Sequence, residues 1–287
     1  GAYWFKADAL LGVLGEIGSE NAQHEFYLTD AVTLIYQKGL RAGSFLSADP
    51  DIVLGANDRA QLLQLNGIAR KRVLARLMED GVSLIDDSGV IVGPDVKIGA
   101  DTLLLPGTIV RGSTSIGSGC VIGPNSLIES CTIGDGVVFN ASQAYRSRID
   151  SGVTVGPFSH IRPDCVLHER VHVGDFVEIK NSGIGEGTKV SHLTYVGDSD
   201  IGAQVNFGCG CVTVNYDGVS KHRTKVCDHA FIGCNTNLVS PVEVGENAYT
   251  AAGTTVTRNV PDNALAVGRT RQENIEGWVT RKRQKKD

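Results

Sequence analysis

From Val92 onwards an aliphatic residue returns at every sixth position. Val92, Ile98, Leu104, Val110, Ile116, Ile122 and Ile128 keep the count without a slip. It resumes at Ile133, Phe139 and Tyr145, then at Ile149, Val155, Ile161, Leu167, Val173 and Ile179. Further runs are Ile184, Val190 and Val196, Ile201 and Phe207, and Val226, Ile232, Leu238 and Val244. Neither a helix of 3.6 residues per turn nor a simple alternating strand holds that period. A short extended stretch with one aliphatic inward, followed by a Gly or Asn corner that accepts positive φ, does hold it. Three such units bring the chain back above its start, so the pattern predicts a triangular prism of parallel coils stacked about 4.8 Å apart. Between Val92 and Pro261 there is sequence for about nine coils of about 18 residues. The small residues four places after each aliphatic, Thr102, Thr108, Thr114, Cys120 and Ser126, are expected to face inward, as are Cys165 and Cys211.

Composition agrees with a fold made of corners: there are 35 glycines, and only 6% of residues are aromatic. A net charge of −5 gives no general reason to expect nucleic acid or an anionic membrane as partner. No stretch approaches the ~18 apolar residues of a membrane-spanning helix. Seven cysteines, an odd number without a secretory leader, argue against a disulfide framework and for a reducing cytoplasm. The closing run "RKRQKKD" reads as a solvated tail. The opening "GAYWFKADALL" has no initiator Met, so the chain is expected to be a piece of a longer one.

Ahead of the repeats, "NDRAQLLQLNGIARKRVLARLMED" sets Leu62, Leu65, Ala69, Val73 and Leu77 along one face. With Asn57 or Asp58 as cap and Gly81 as stop, it is an amphipathic helix over 57–80. Residues 1–56 read as mixed helix and strand, the end of another domain. The solenoid is expected over 81–265 and a tail over 266–287.

One segment breaks the beat: "VNYDGVSKHRTKV", Val214 to Val226. Its charges cannot enter an apolar prism without large cost, so it must bulge outward, where repeat proteins carry their function. Other polar groups gather in neighbouring coils: Arg162, Lys180, His192, Tyr195 and Asn206, followed in the segment itself by Asn215, Tyr216 and Lys221. Arg162 and Lys180 are one 18-residue coil apart and should stack on one face. Two stacked cations repel unless an anion lies between them, which points to a phosphate or carboxylate ligand.

"GPFSHIRP", "GDFVEIKNS", "HLTYVGD", "VNYDGVSKHRTKV", "FIGCNTNLVSPVEVG" and "AAGTTVTRNVP" resemble, in order, the acetyltransferase part of a bacterial bifunctional family. That family joins glucosamine-1-phosphate N-acetyltransferase to N-acetylglucosamine-1-phosphate uridyltransferase. "NAQHEFYLTD" and "GANDRAQL" resemble the last part of its uridyltransferase domain, whose opening glycine-rich loop is not present here. The resemblance implies an all-β, left-handed parallel β-helix of hexapeptide repeats, a hand that the period alone does not give. It implies acetyl transfer from acetyl-CoA to the 2-amino group of glucosamine 1-phosphate, in a homotrimer with active sites between subunits. Arg162, Lys180 and Lys221 would hold the sugar phosphate, Tyr195, Asn206, Asn215 and Tyr216 would meet the sugar, and His192 would be the general base. A His with pKa near 6.5 suits removal of an ammonium proton, Asn215 would orient its ring, and a backbone N–H around Cys209 would meet the oxyanion. Acetyl-CoA would meet Cys209, Cys234, Ala252 and Arg269. Cys209 stands where the family commonly has Ala, Cys234 where it has Ser, Cys227 where it has Gly, and Ile275 where some relatives have Lys. Asn57 matches a Mg²⁺ ligand of the uridyltransferase half, an activity expected only of a full-length parent.

Other readings of the same prism have their own signatures. A zinc hydratase would stack three His, but His160, His168, His172, His192, His222 and His229 do not recur at the coil length. A pure scaffold would keep a flat face without a charged loop. Hexapeptide acyltransferases for other amines would lack "NYDG" followed by Lys.

Overall fold

The computed structural model describes residues 2–284, in two compact units that divide between Ala69 and Arg70. In the first unit, helices α1 (Ala7–Leu14) and α2 (Leu28–Gln37) bury Val13, Ala31 and Ile35 in a small core, with Phe5, Leu10 and Leu34 packed against it. The expected mixture with strands is not found: among the described residues this unit holds helices and one 3₁₀ turn, Pro50–Val53. Its extended stretches have no neighbouring strand with which to exchange backbone hydrogen bonds.

Helix α3 (Arg59–Glu79) starts on a reciprocal cap. The Gln61 N–H donates to Asp58 Oδ1 at 2.7 Å, and the Asn57 N–H donates to Gln61 Oε1 at 2.7 Å. Asp58 is therefore the side-chain cap. The helix stops before Gly81, whose φ of 91° few other residues tolerate. Of its expected apolar face, Leu77 is buried and Val73 partly buried, but Leu62 and Ala69 are exposed, while Leu74 is buried. Burial is confined to the last turns because only these meet the first coil.

The second unit is a parallel β-solenoid with three faces of 11, 10 and 9 strands. We call them the first, second and third sheets. Strands begin at Ser83 and end at Ala266, so there are about ten coils, where the beat predicts nine: the first coil precedes Val92 and carries no hexapeptide signal. The inward aliphatics form one continuous core, with Leu104, Val110, Ile122, Ile128, Ile149 and Ile161 wholly buried. Thr102, Thr108, Thr114, Cys120 and Ser126 are buried as expected, and so are Cys165 and Cys211. Their polar atoms are not wasted: Thr108 Oγ1 donates to the carbonyl of Leu105 at 2.7 Å.

The slips in the beat are shortened coils. Phe139 pairs with Val155, 16 residues on, Val173 with Val190, 17 on, and Ile161 with Ile179, 18 on. One position of the predicted pattern is wrong. Ala144, not Tyr145, points inward, because pairing with Ile128 and Ile161 fixes the register one residue earlier. The phenol is left outside, edge-on to His160. A small residue suits that level because Phe139, wholly buried, fills the prism there. Phe139→Ala is expected to cost about 3–5 kcal/mol, read as a lower urea midpoint at unchanged slope.

The interrupting segment widens one coil. Ile184 pairs with Ile201, 17 residues on, whereas Ile201 pairs with Val226, 25 on. The surplus forms a small hairpin in which Tyr216 and Lys221 are bridged antiparallel. Asp217 scaffolds it, accepting the N–H groups of Val219 and Ser220 at 2.8 and 2.7 Å and His222 Nε2–H at 2.7 Å. Those backbone bonds, led by Ser220, hold its carboxyl well below the usual range. Arg223 pins the base of the hairpin to Asp200, at 2.9 Å from Nε, and to the carbonyls of Asn181 and Ser199.

Candidate active site

The residues singled out by sequence gather in two places, at opposite edges of the second sheet. At the edge towards the third sheet lie the cations. Arg162 and Lys180 follow the paired strand residues Ile161 and Ile179 in register, so they do stack. The chain itself supplies carboxylates for both. Arg162 Nη1 donates to Glu178 Oε1 at 2.8 Å, which holds the guanidinium pKa up, and Lys180 Nζ lies 3.2 Å from both oxygens of Asp198. Lys221 reaches back from the hairpin as the third cation. Contact with the Lys180 ammonium, then its repulsion, holds the Lys221 pKa below the usual lysine range, and Arg162 adds to the effect. Partial burial works against the Lys180 charge, but the bond to Asp198 and its negative charge outweigh it and hold the pKa up.

Asp198 organises this edge. Its side chain is 5% exposed, and its backbone adopts φ 48° at the coil corner. Besides Lys180 it accepts Asn181 Nδ2–H at 2.6 Å and Asn215 Nδ2–H. Its backbone carbonyl accepts the Thr224 N–H at 3.2 Å. It thus ties both ends of the interrupting segment, Asn215 and Thr224, to the coil that carries Lys180. Burial opposes the Asp198 charge, but the bonds from Asn181 and Asn215 and the ammonium of Lys180 overcome it and hold the carboxyl low. Tyr195 lies over Gly197, and its Oη is 3.5 Å from Asn215 Nδ2.

At the other edge, towards the first sheet, runs a single column. Asp175 pairs with His192, and extending the ladder registers puts Cys209, Cys234 and Ala252 on the next three rungs. The corner hydrogen bonds follow the same order: Leu193 N–H to Asp175 O at 3.0 Å, Asn235 N–H to Cys209 O at 2.8 Å, and Gly253 N–H to Cys234 O at 2.8 Å. Predicted base and predicted acetyl-CoA contacts therefore share one line parallel to the prism axis. His192 Nδ1 lies 2.9 Å from Asp175 Oδ1; a carboxylate only accepts, so Nδ1 carries a proton, and in the neutral ring the lone pair falls to Nε2. The bond from His192 holds the Asp175 pKa down. Within one chain Asn215 does not reach this ring: its amide is given to Asp198 at the far edge.

One predicted residue lies apart from both groups. Asn206 points outward from the first sheet, between Lys189 and Phe231 in the ladder. Tyr216 stands in the hairpin opposite its bridge partner Lys221 and donates its hydroxyl to Gly218 O, and Arg269 lies just past Ala252 at the end of the column, its Cδ 3.8 Å from a Cβ built on Gly253. Beside His192, Phe158, Phe176 and Leu193 form an exposed apolar ladder with φ of 59°, 57° and 44°. The two phenyl rings stack at 5.5 Å.

Asp175 and Asp198 are the partners of His192 and Lys180 that sequence reasoning misses. A signal exists for each: Asp175 stands 17 residues before His192 and Asn181 17 before Asp198, the shortened coil length of that region. Among the described residues no three His, Cys, Asp or Glu form a group that could hold a metal ion. The same holds around Asn57. Among the described residues no helix is long and apolar enough to cross a membrane. Arg281 to Arg283 of the basic tail are exposed in the short helix α4 (Trp278–Gln284), and Lys285, Lys286 and Asp287 lie outside the described residues.

A parallel three-sided solenoid with hexapeptide periodicity and an outward hairpin that interrupts one coil defines a class. Residues 146–181 match the family described as bacterial transferase hexapeptide (six repeats), which fits a left-handed β-helix. The chain is 48% identical over 286 residues to the bifunctional protein GlmU of Clostridium novyi, covering 100% of this chain and 62% of that protein. To the GlmU of Clostridium beijerinckii it is 47% identical, covering 100% of this chain and 63% of the relative. The chain belongs to the GlmU family and spans less than two thirds of these relatives' length. Among solved structures, a GDP-perosamine N-acetyltransferase from Caulobacter crescentus overlaps 42% of this chain and 57% of its own, at 24% identity and a TM-score of 0.37. That overlap is too partial to carry a functional argument.

Proposed function

We propose that the chain transfers acetyl from acetyl-CoA to the 2-amino group of glucosamine 1-phosphate. The observation that carries this reading is the convergence of Arg162, Lys180 and Lys221 from two coils and a hairpin onto one edge. Ammonium groups held against each other, with Lys221 destabilised, are a site that gains when a phosphate dianion arrives. At the other edge Asp175 fixes the His192 tautomer, so that Nε2 takes the proton from the substrate amine as its nitrogen attacks the thioester carbonyl. The carbonyl carbon becomes tetrahedral and then expels the CoA thiolate.

The two edges of one prism are separated by the width of the second sheet, six residues from His192 to Asp198, or at most about 20 Å. The apolar ladder of Phe158, Phe176 and Leu193 stands exposed beside His192. A homotrimer that brings the column of one prism against the cationic edge of another would unite the parts and cover the ladder. The reading includes a cytoplasmic setting, and it assigns uridyltransfer and its Mg²⁺ to a longer parent. Asn57 gives its backbone N–H to Gln61 Oε1 in the helix cap, and among the described residues no group of three His, Cys, Asp or Glu stands about it.

The direct test is mass-spectrometric detection of N-acetylglucosamine 1-phosphate after incubation with acetyl-CoA and glucosamine 1-phosphate. Product is expected with the phosphorylated sugar and not with glucosamine; equal turnover of both would sink the phosphate assignment. Arg162→Ala is expected to raise the sugar KM about tenfold to a hundredfold, the loss of one charge-assisted hydrogen bond, with kcat little changed. An unchanged KM would remove Arg162 from the site.

A pH effect follows from Lys221. Its ammonium exists below its pKa, which is lowered, so sugar-phosphate affinity should fall as pH rises through a value below the ordinary lysine range. Lys180→Gln removes the main cause of the lowering. Affinity weakens at every pH, but the alkaline fall should move to higher pH; a fall that stays in place would show that Lys221 does not bind the phosphate.

A further inference from the structure

All seven cysteines are free, and two of them share the column that carries His192. Cys209 is half-buried and Cys234 exposed, on adjacent rungs. Neighbouring rungs of a parallel sheet are about 4.8 Å apart, inside the Cα range of about 4.4–6.8 Å that disulfides span. The Cys234 thiol leans towards the lower coil: a Cβ built on Gly208 would lie 2.9 Å from its Sγ. The Asn235 N–H bond to Cys209 O, at 2.8 Å, fixes the two corners against each other.

We propose that Cys209 and Cys234 form a paired-thiol site that takes a low-molecular-weight disulfide as co-reactant and closes as an intrachain disulfide across two coils. The exposed Cys234 thiolate attacks one sulfur of the small disulfide and expels one thiolate. Cys209 thiolate then attacks the mixed disulfide at the Cys234 sulfur and expels the second. The protein loses two electrons and two protons; the small disulfide gains them and leaves as two thiols. Cys211, the next cysteine in the chain, is not the partner. It is buried, its Sγ donates to Gly233 O at 3.1 Å, and burial above all pushes its pKa up to about 11, so little thiolate forms.

The regulatory consequence rests on the proposed function, which puts acetyl-CoA along this column: a closed bridge and a bound acetyl-CoA would exclude each other. The oxidised form of the product thiol, CoA disulfide, and glutathione disulfide share the required chemistry. Parallel incubations with each separate the two sources, since only the first would be delivered by a CoA-binding column.

The test oxidises the whole chain with either disulfide, alkylates remaining thiols and maps the peptides by mass spectrometry. A Cys209–Cys234 bridge is expected, reversed by dithiothreitol and lost in both Cys209→Ala and Cys234→Ser. Two separate mixed disulfides, a bridge to another cysteine, a bridge between chains, or two alkylated thiols would each overturn the proposal. Acetyl-CoA at about 100 times its Kd should leave about one site in a hundred open and slow bridging about 100-fold. Bridging that acetyl-CoA does not slow would leave the thiol pair standing and remove acetyl-CoA from the column. Acetyl-CoA protection of Cys234 from alkylation without any bridge would do the reverse.

Discussion

His192→Ala is expected to lower kcat for acetyl transfer by about 10²–10⁴-fold, the usual worth of a positioned general base. The ring is exposed at a coil corner and is no part of the core, so the solenoid should keep its melting temperature. KM for both substrates should change little, because the proton is transferred in the transition state. Asp175→Asn separates the role of the ring from that of its partner. An amide can turn its NH₂ towards Nδ1 and favour the other tautomer, which carries the proton on Nε2, where the lone pair is needed. The Asn variant should therefore lose much of kcat while His192 stays in place. A kcat for His192→Ala within a few fold of wild type would end the assignment of this edge as the catalytic one. The loss of activity with Asp175→Asn but not with His192→Ala would make Asp175 itself the acting group.

The prism was legible because one physical demand repeats: a corner every six residues and one aliphatic behind it. Leu104, Ile122 and Ile161 sit where the count puts them. The count failed at Tyr145, in a shortened coil, where pairing with the coils above and below outweighs the bulk of the side chain and Ala144 turns inward. The stacked pair Arg162 and Lys180 was legible for the same reason, their spacing being one full coil. What the count could not supply was their counter-charge. Glu178 reaches Arg162 from two positions before Lys180, and Asp198 reaches Lys180 from the next coil, so the acid partners are set by three-dimensional register. Asn215 and His192 are parted within one chain on the same ground. Both residues flank the second sheet, but at opposite edges, and nothing in their sequence separation says which edge.

The hairpin that breaks the beat is held by that same register, and Asp198 is where its removal should be felt. Asp198→Ala takes the acceptor from Lys180, Asn181 and Asn215 at once. Breaking one side of a buried ion pair costs about 3–5 kcal/mol, so this variant is expected to melt at lower temperature and mixes stability with function. Asp198→Asn keeps the volume and one oxygen but removes the charge. Its sugar-phosphate KM should rise about tenfold to a hundredfold, as Lys180 and Asn215 lose their charge-assisted bonds, while the acetyl-CoA KM holds. The pH profile distinguishes positioning from mere loosening. The Asp198 charge raises the Lys221 pKa, whereas Lys180 lowers it. Removing the acid should move the alkaline fall in affinity to lower pH, and Lys180→Gln should move it to higher pH. A hairpin that had only become loose would raise KM without moving the fall in either direction. Shifts of the same sign in both variants would mean that Lys221 does not report on this cluster. Opposite shifts would tie the interrupting loop, the buried carboxylate and the stacked cations into one phosphate site.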